Sequence, residues 1–266
     1  MKWKKWLVSC SVCFLALGVF GCGSHGGTVH HTDQTSGKIV IGLDDNYPPV
    51  GFRNEKGELI GSDVELAKEA AKRLGRQVEF RPIDWSSKEA ELASGKVDLI
   101  WNGLTPTPER EKNILFSLPY QTSGQVVFVR KGSPIRTTAE LKGKKVGTQE
   151  GSTALDALAK NPDLKNSFGE LRMYADFVSA FMDLKIGRLD AVLGDEIVGR
   201  YYLQKSPGEW EVLPERFGVE TDAVGMKLGN HQLKQEIDRV LKEMKADGTM
   251  KRISEKWFGE DISYDL

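Results

Sequence analysis

The sequence predicts an α/β protein organised in two lobes, and three observations lead there. Short apolar runs of strand type alternate with segments of helical period from Ile39 to Phe258, a succession that builds mostly parallel sheets flanked by helices. The succession starts afresh near Ala139, without a sequence repeat to mark it. A length of 266 residues holds one large domain or two modest ones.

The first half reads as follows. Ile39-Val40-Ile41-Gly42-Leu43 is an apolar strand, stopped by Asp44-Asp45-Asn46 and then Pro48-Pro49. Residues 53–57 form a hairpin turn. Ser62-Asp63-Val64-Glu65 has the form of a capping box, and Val64, Ala67, Ala71 and Leu74 then share one helical face until Gly75. A strand over 77–81, a short helix over 88–93 and strands over 97–101 and 126–130 follow.

In the second half, residues 139–141 make a helical turn and 145–147 a strand, and Gly151-Ser152-Thr153 opens a helix. Strands over 171–174 and 191–193 enclose a helix whose face is Phe177, Ala180, Phe181 and Leu184. A late strand covers 222–227. The helix over 232–247 buries Leu233, Ile237, Val240, Leu241 and Met244, and a last helix over 249–258 offers Met250, Ile253 and Trp257.

Composition removes several chemistries. Lysine and arginine number 37 against 38 aspartate and glutamate, a net charge of −1. That balance lacks the basic surplus that phosphate neutralisation requires, so no nucleic-acid partner is expected. Cys10, Cys13 and Cys22 all precede the folded body. The body therefore has no disulfide, no thiol nucleophile and no cysteine-ligated metal.

Lys2, Lys4 and Lys5 lead into an apolar run over residues 6–20, the form of a secretory signal. The run falls short of the roughly 20 residues that span a bilayer. Val19-Phe20-Gly21-Cys22 resembles a bacterial lipobox, whose cysteine carries diacylglycerol, and in the mature lipoprotein palmitate, after cleavage. Residues 1–21 are expected to be the lipoprotein signal peptide, Cys22 the lipidation site and residues 22–37 a flexible tether. The domain is then extracytoplasmic, held by its lipid anchor at the outer face of the cytoplasmic membrane or in the periplasm. A plain secretory signal with an incidental cysteine is the alternative. His25, His30 and His31 on the tether are assigned no metal. Removing residues 1–21 takes the net charge from −1 to −4.

Several stretches together resemble one family, the polar amino-acid-binding proteins of ABC importers (bacterial solute-binding proteins, family 3). Gly61-Ser62-Asp63-Val64-Glu65-Leu66-Ala67 is similar to a family signature, with Ser62 in place of the usual aromatic. Asn102-Gly103-Leu104-Thr105-Pro106-Thr107-Pro108-Glu109-Arg110 resembles the segment that grips the main-chain groups of the ligand. Phe116 to Tyr120, Leu141 to Gly147, Gly151-Ser152-Thr153, Leu189 to Val192 and Lys256 to Gly259 complete the series. Their order across residues 39–259 makes the match specific. The resemblance implies a two-lobe periplasmic-binding-protein fold (type II) with two hinge crossings. Residues 38–126 and 223–266 would form lobe one and residues 127–222 lobe two, with crossings near 125–128 and 220–224. A free amino acid would be enclosed by hinge closure and delivered to the transmembrane subunits of an ABC permease. The protein would act as a monomer without cofactor.

The site follows from the same resemblance. A free amino acid needs a cation for its carboxylate and an acceptor for its ammonium. Arg110 offers a two-pronged donor, supported by Thr105 and by Ser152 and Thr153 at a helix start. Asp195 takes the ammonium, helped by the Gly103 carbonyl. Read alone, Arg110 is a surface residue in Glu109-Arg110-Glu111-Lys112 and Asp195 an N-cap before Glu196. Tyr47 and Trp85 would sandwich the aliphatic part of the ligand, unless Trp85 is an ordinary core residue. Asp44, Asp63 and Gln149 would line the far end, favouring arginine, lysine or histidine, then glutamine or cystine, while Asp63 also suits a helix start. Trp101 and Asn102 are unusual choices that would reshape the pocket.

Two rival functions sit on the same fold. A cyclohexadienyl-dehydratase-like enzyme would place a lysine and a glutamate where this chain has Asp156 and Val198, so no enzyme is expected. A sensor would present the same ligand to a receptor, but no apolar run of about 18 residues follows Cys22 to carry a fused transmembrane helix.

Overall fold

The computed structural model of the protein describes residues 37–266; the signal, Cys22 and the tether as far as residue 36 lie outside the described residues. The first part of the chain forms β1 (Lys38–Leu43), β2 (Asn46–Tyr47), β3 (Gly51–Arg53), β4 (Leu59–Ile60), α1 (Ser62–Arg73), β5 (Gln77–Pro82), α2 (Lys88–Ala93) and β6 (Leu99–Ile100). Then come β7 (Ile114–Arg130), β8 (Lys145–Gln149), α3 (Thr153–Lys160), α4 (Pro162–Ser167), β9 (Glu170–Tyr174), α5 (Phe177–Lys185), β10 (Ala191–Asp195) and α6 (Glu196–Lys205). The chain ends with β11 (Trp210–Lys227), α7 (His231–Ala246) and α8 (Thr249–Phe258).

Eight strands form one sheet in the order β5-β1-β6-β11-β7-β10-β8-β9, and β2-β3-β4 form a small second sheet. β1 runs parallel to β5 and β6, and β8 parallel to β9 and β10. These two parallel blocks are joined by a long ribbon, the 17-residue β7 and the 18-residue β11. The ribbon strands are antiparallel to each other and to the blocks they adjoin. The parallel expectation therefore holds within each block and fails at the junction. Around Thr122↔Thr221 the two ribbon strands pair with each other, and the chain crosses between blocks there.

Each block has its own apolar core. The 3.6-residue period of α1, α7 and α8 brings Leu66, Ala70, Ile237, Leu241 and Ile253 against Trp101, Tyr120 and the strands of the first block. In the second block α5 and α6 pack Phe177, Phe181 and Val198 on one face, around Phe128 and Trp210. α3 covers the other face with Leu158 against Val146 and Leu193.

Several local expectations change; β11, for one, begins twelve residues before the strand expected at 222. The capping box does not form: the helix already begins at Ser62, so α1 is capped by Gly61 with no side-chain cap bond, and the Glu65 carboxylate pairs with Lys256. Gly61 has φ 142°, and a Cβ there would lie 2.1 Å from the Val50 carbonyl oxygen, so only glycine fits. β7 begins twelve residues before the strand expected at 126 and passes through Pro119, which sits at a register shift opposite Ala223, where a missing N–H is tolerated. α4 was not anticipated; its Pro162 start is ordinary for a helix.

Candidate functional site

The loops that follow parallel strands of both blocks converge on one narrow cavity. Asp44 follows β1, Asn102 and Gly103 follow β6, Ser152 follows β8 and Asp195 ends β10, the strand ends where open α/β sheets hold ligands. Of the twelve expected site residues, Asp44, Tyr47, Trp85, Asn102, Gly103, Arg110, Gln149, Ser152, Thr153 and Asp195 line this cavity. Hydrogen bonds cross it: Tyr47 Oη donates to Asp195 Oδ2 at 2.5 Å, Gln149 Nε2 to Asp44 Oδ2 at 2.8 Å and Arg110 Nη2 to the Gly151 carbonyl at 2.8 Å.

Arg110 is buried, not on the surface, and its Nη1 donates to the Thr105 carbonyl at 2.8 Å. Burial lowers its pKa. Asp195 occupies the N-cap position of α6 but makes no side-chain cap bond; its carboxylate accepts from Tyr47 and from Gln125 Nε2. Burial, and then the neighbouring Glu220, push Asp195 up to about 7. Among the described residues neither Arg110 nor Asp195 forms an ion pair. At this end of the cavity the wall thus carries one cation, Arg110, and one acid, Asp195, neither in an ion pair among the described residues.

Trp85 lies over the cavity as expected, with the Lys88 ammonium 4.9 Å from its ring centre. Gly103 has φ 58°, and a Cβ there would press to 3.2 Å from the Tyr47 ring. Thr153 is the first residue of α3, which puts a helix N-terminus at the wall beside Arg110, an arrangement suited to an anion. At the far end the Asp44 backbone amide donates to Asn102 Oδ1 at 3.0 Å, and burial raises the Asp44 carboxyl to about 6.

Two expected residues lie behind the wall. Asp63 was expected at the far end of the pocket, yet its Oδ2 accepts from Tyr120 Oη at 2.6 Å and from the Gly103 amide at 2.8 Å. It fixes the Gly103 turn, and Asp44 is the acid at the far end. The Thr105 hydroxyl donates to Asp222 Oδ1 at 3.1 Å, so Thr105 faces Arg110 through its carbonyl. Trp101 packs against Tyr120 in the core, with ring centres 5.9 Å apart.

Sequence reasoning missed four polar residues around this wall. Gln125 and Glu220 stand on the ribbon strands. Gln125 donates to Asp195, Thr153 and Glu220, and Glu220 also accepts from Thr153 Oγ1 at 3.0 Å. Asp222 accepts from Gln121 Nε2 at 2.8 Å, and burial raises it to about 7. Lys88 is almost fully buried at the start of α2. The one available signal was the two-residue spacing of Glu220 and Asp222, which puts both on one face of a strand.

The profile of the bacterial extracellular solute-binding proteins, family 3, matches residues 39–260. The chain is 35% identical over 229 residues to the L-cystine-binding protein TcyJ of Escherichia coli (strain K12), covering 85% of each chain. It is 30% identical over 262 residues to the arginine-binding extracellular protein ArtP of Bacillus subtilis (strain 168), covering 96% of this chain and 98% of ArtP. An ABC uptake transporter substrate-binding protein of Streptococcus pneumoniae, solved with bound histidine, superposes with a TM-score of 0.83 at 36% identity, covering 86% of this chain and 95% of that one.

Proposed function

The chain belongs to the bacterial extracellular solute-binding proteins of family 3, and from that premise we propose that it captures a polar amino acid for an ABC importer. Its fold is the two-lobe type II periplasmic-binding-protein fold. Residues 38–126 with 223–266 form lobe one and residues 127–222 lobe two, with the long β7–β11 ribbon as the hinge.

The observation that carries this reading is the separation of charge on one cavity wall. Arg110, beside the N-terminus of α3, holds the α-carboxylate, and Asp195 holds the α-ammonium. Tyr47 and Trp85 flank the side chain, and Asp44 with Gln149 receives its polar end. A buried acid at that end favours arginine, lysine or histidine, with glutamine or cystine next. The ligands for which the relatives are named, or with which they are solved, span this same range, cystine, arginine and histidine. Closure about the ribbon removes both ligand charges from water, which strengthens their bonds to Arg110 and Asp195.

The protein is a binding protein and not an enzyme. Asp156 is exposed on α3 and Val198 is buried in the α5–α6 core, where dehydratase relatives would carry a lysine and a glutamate. Cys22 anchors the mature lipoprotein at the membrane, and the closed, loaded monomer docks on the transmembrane subunits of its permease. Calorimetric titration with a panel of amino acids tests the assignment: a polar amino acid binds, and Arg110→Ala or Asp195→Ala abolishes most of its affinity.

A further inference from the structure

Lys88 is a charged residue that the site as described does not use. Only 3% of it is exposed, a rare state for a lysine without an acidic partner, and no carboxylate among the described residues pairs with it. Its ammonium donates to the Gly151 carbonyl at 2.9 Å and to the Trp85 carbonyl at 3.2 Å, and it faces the Trp85 ring. Arg110 Nη2 donates to the same Gly151 oxygen at 2.8 Å. Two cationic nitrogens thus lie within about 6 Å of each other around one neutral oxygen, an arrangement whose repulsion grows as water leaves.

The two cations and the oxygen come from opposite sides of the cleft. Lys88 and Arg110 belong to the block of β1 and β6, and Gly151 follows β8 of the other block. The approach is close. Gly151 has φ 70°, and a Cβ on it would lie 3.1 Å from Ser86 Cα and 3.3 Å from Lys88 Nζ. Burial, and after it the charge of Arg110, push the Lys88 ammonium down to about 7, while Glu89 and Asp156 act the other way.

We propose that Lys88 is a charge latch on the cleft: its ammonium, meeting the Gly151 carbonyl beside Arg110, lets the cleft close over a ligand that brings a carboxylate and keeps it open otherwise. In an open cleft Gly151 draws away and water solvates Lys88. Closing without an anion strips that water from two like charges. A carboxylate on Arg110 reverses the field at Lys88, so the same contact becomes favourable. Lys88 is then a positioning residue that makes the site select carboxylates over carboxamides, and this rests on the amino-acid reading above.

The test compares the full-length protein with Lys88→Gln, which keeps a donor without the charge, and Lys88→Met, which keeps the packing against Trp85. Hydrogen–deuterium exchange of residues 149–155 in the ligand-free protein reads closure. Both variants are expected to slow that exchange at least about threefold, because the empty cleft closes more often. Calorimetry with L-arginine, L-histidine and L-cystine against their carboxamides reads selectivity, and the preference for carboxylate over carboxamide is expected to shrink about tenfold. Exchange unchanged or faster in both folded variants, or a preference unchanged within about twofold, overturns the latch. If the wild type binds none of the three amino acids, the amino-acid reading fails by itself, and the exchange of the empty protein still decides on Lys88.

Discussion

The phenol of Tyr47, after β1, donates to Asp195 Oδ2, at the end of β10, across 2.5 Å of the cleft. The acid proposed to receive the ligand ammonium is therefore held by a residue from the other side of the cleft, and burial keeps the Tyr47 phenol protonated, its pKa well above the usual tyrosine range. In the function proposed above, closure and ammonium recognition share this one contact.

Replacing Arg110 or Asp195 by alanine is expected to weaken amino-acid binding by about 2–5 kcal/mol, since each change buries a ligand charge without its partner. The melting temperature of the ligand-free protein should hardly move, because neither residue supports an apolar core. Calorimetry and a thermal scan on each variant check both statements; an undiminished affinity in both refutes the assignment.

Asp44→Asn separates ligand classes. Asp44 accepts from Gln149 Nε2 and is the cavity-wall acid at the far end. A basic amino acid should lose roughly tenfold or more in affinity, the scale of one charge-assisted hydrogen bond, whereas a neutral one should lose little. Equal losses for arginine and glutamine would contradict a distal cation site.

The helices were legible where one face had to be apolar. α2 (Lys88–Ala93) and α8 (Thr249–Phe258) begin and end where their period says. The ten wall residues were legible through the family resemblance, which ties short motifs to one cleft. Lys88 was not, because a charged residue at a helix start reads as solvated until the opposite block covers it. Asp63 misled as well. Its place in a family-like segment pointed to the far end of the pocket, but Tyr120 and the Gly103 amide take its carboxylate behind the wall.

Acidity should stabilise the ligand-free protein across a defined window. Asp63, Asp195 and Asp222 are raised to about 7 and Asp44 to about 6, all mainly by burial, from an ordinary value of 3.8. Folding therefore takes up protons between those values, and the stability present below the ordinary value is lost as pH rises through about 6–7. A thermal midpoint higher at about pH 5.5 than at about pH 7 is expected, with a gain of roughly a few kcal/mol at most. A lower midpoint would show that these acids ionise freely in the fold.

Cys22→Ala should move the protein out of the membrane fraction without altering its melting curve, because the anchor precedes the described fold. Fractionation of cells expressing each form checks this. A Cys22→Ala protein that stays folded and membrane-bound would exclude anchoring through that cysteine.

Calorimetric titration of the purified protein with the twenty amino acids, cystine and ornithine tests the central claim most directly. A ligand at about one hundred times its dissociation constant also adds about 2.7 kcal/mol of stability, so a thermal scan of the same mixtures serves as an independent check. The expected result is tight binding of arginine, lysine, histidine, glutamine or cystine, strongest for a basic one, and its loss in Asp195→Ala. Titrations without heat for every amino acid in the panel would contradict the account.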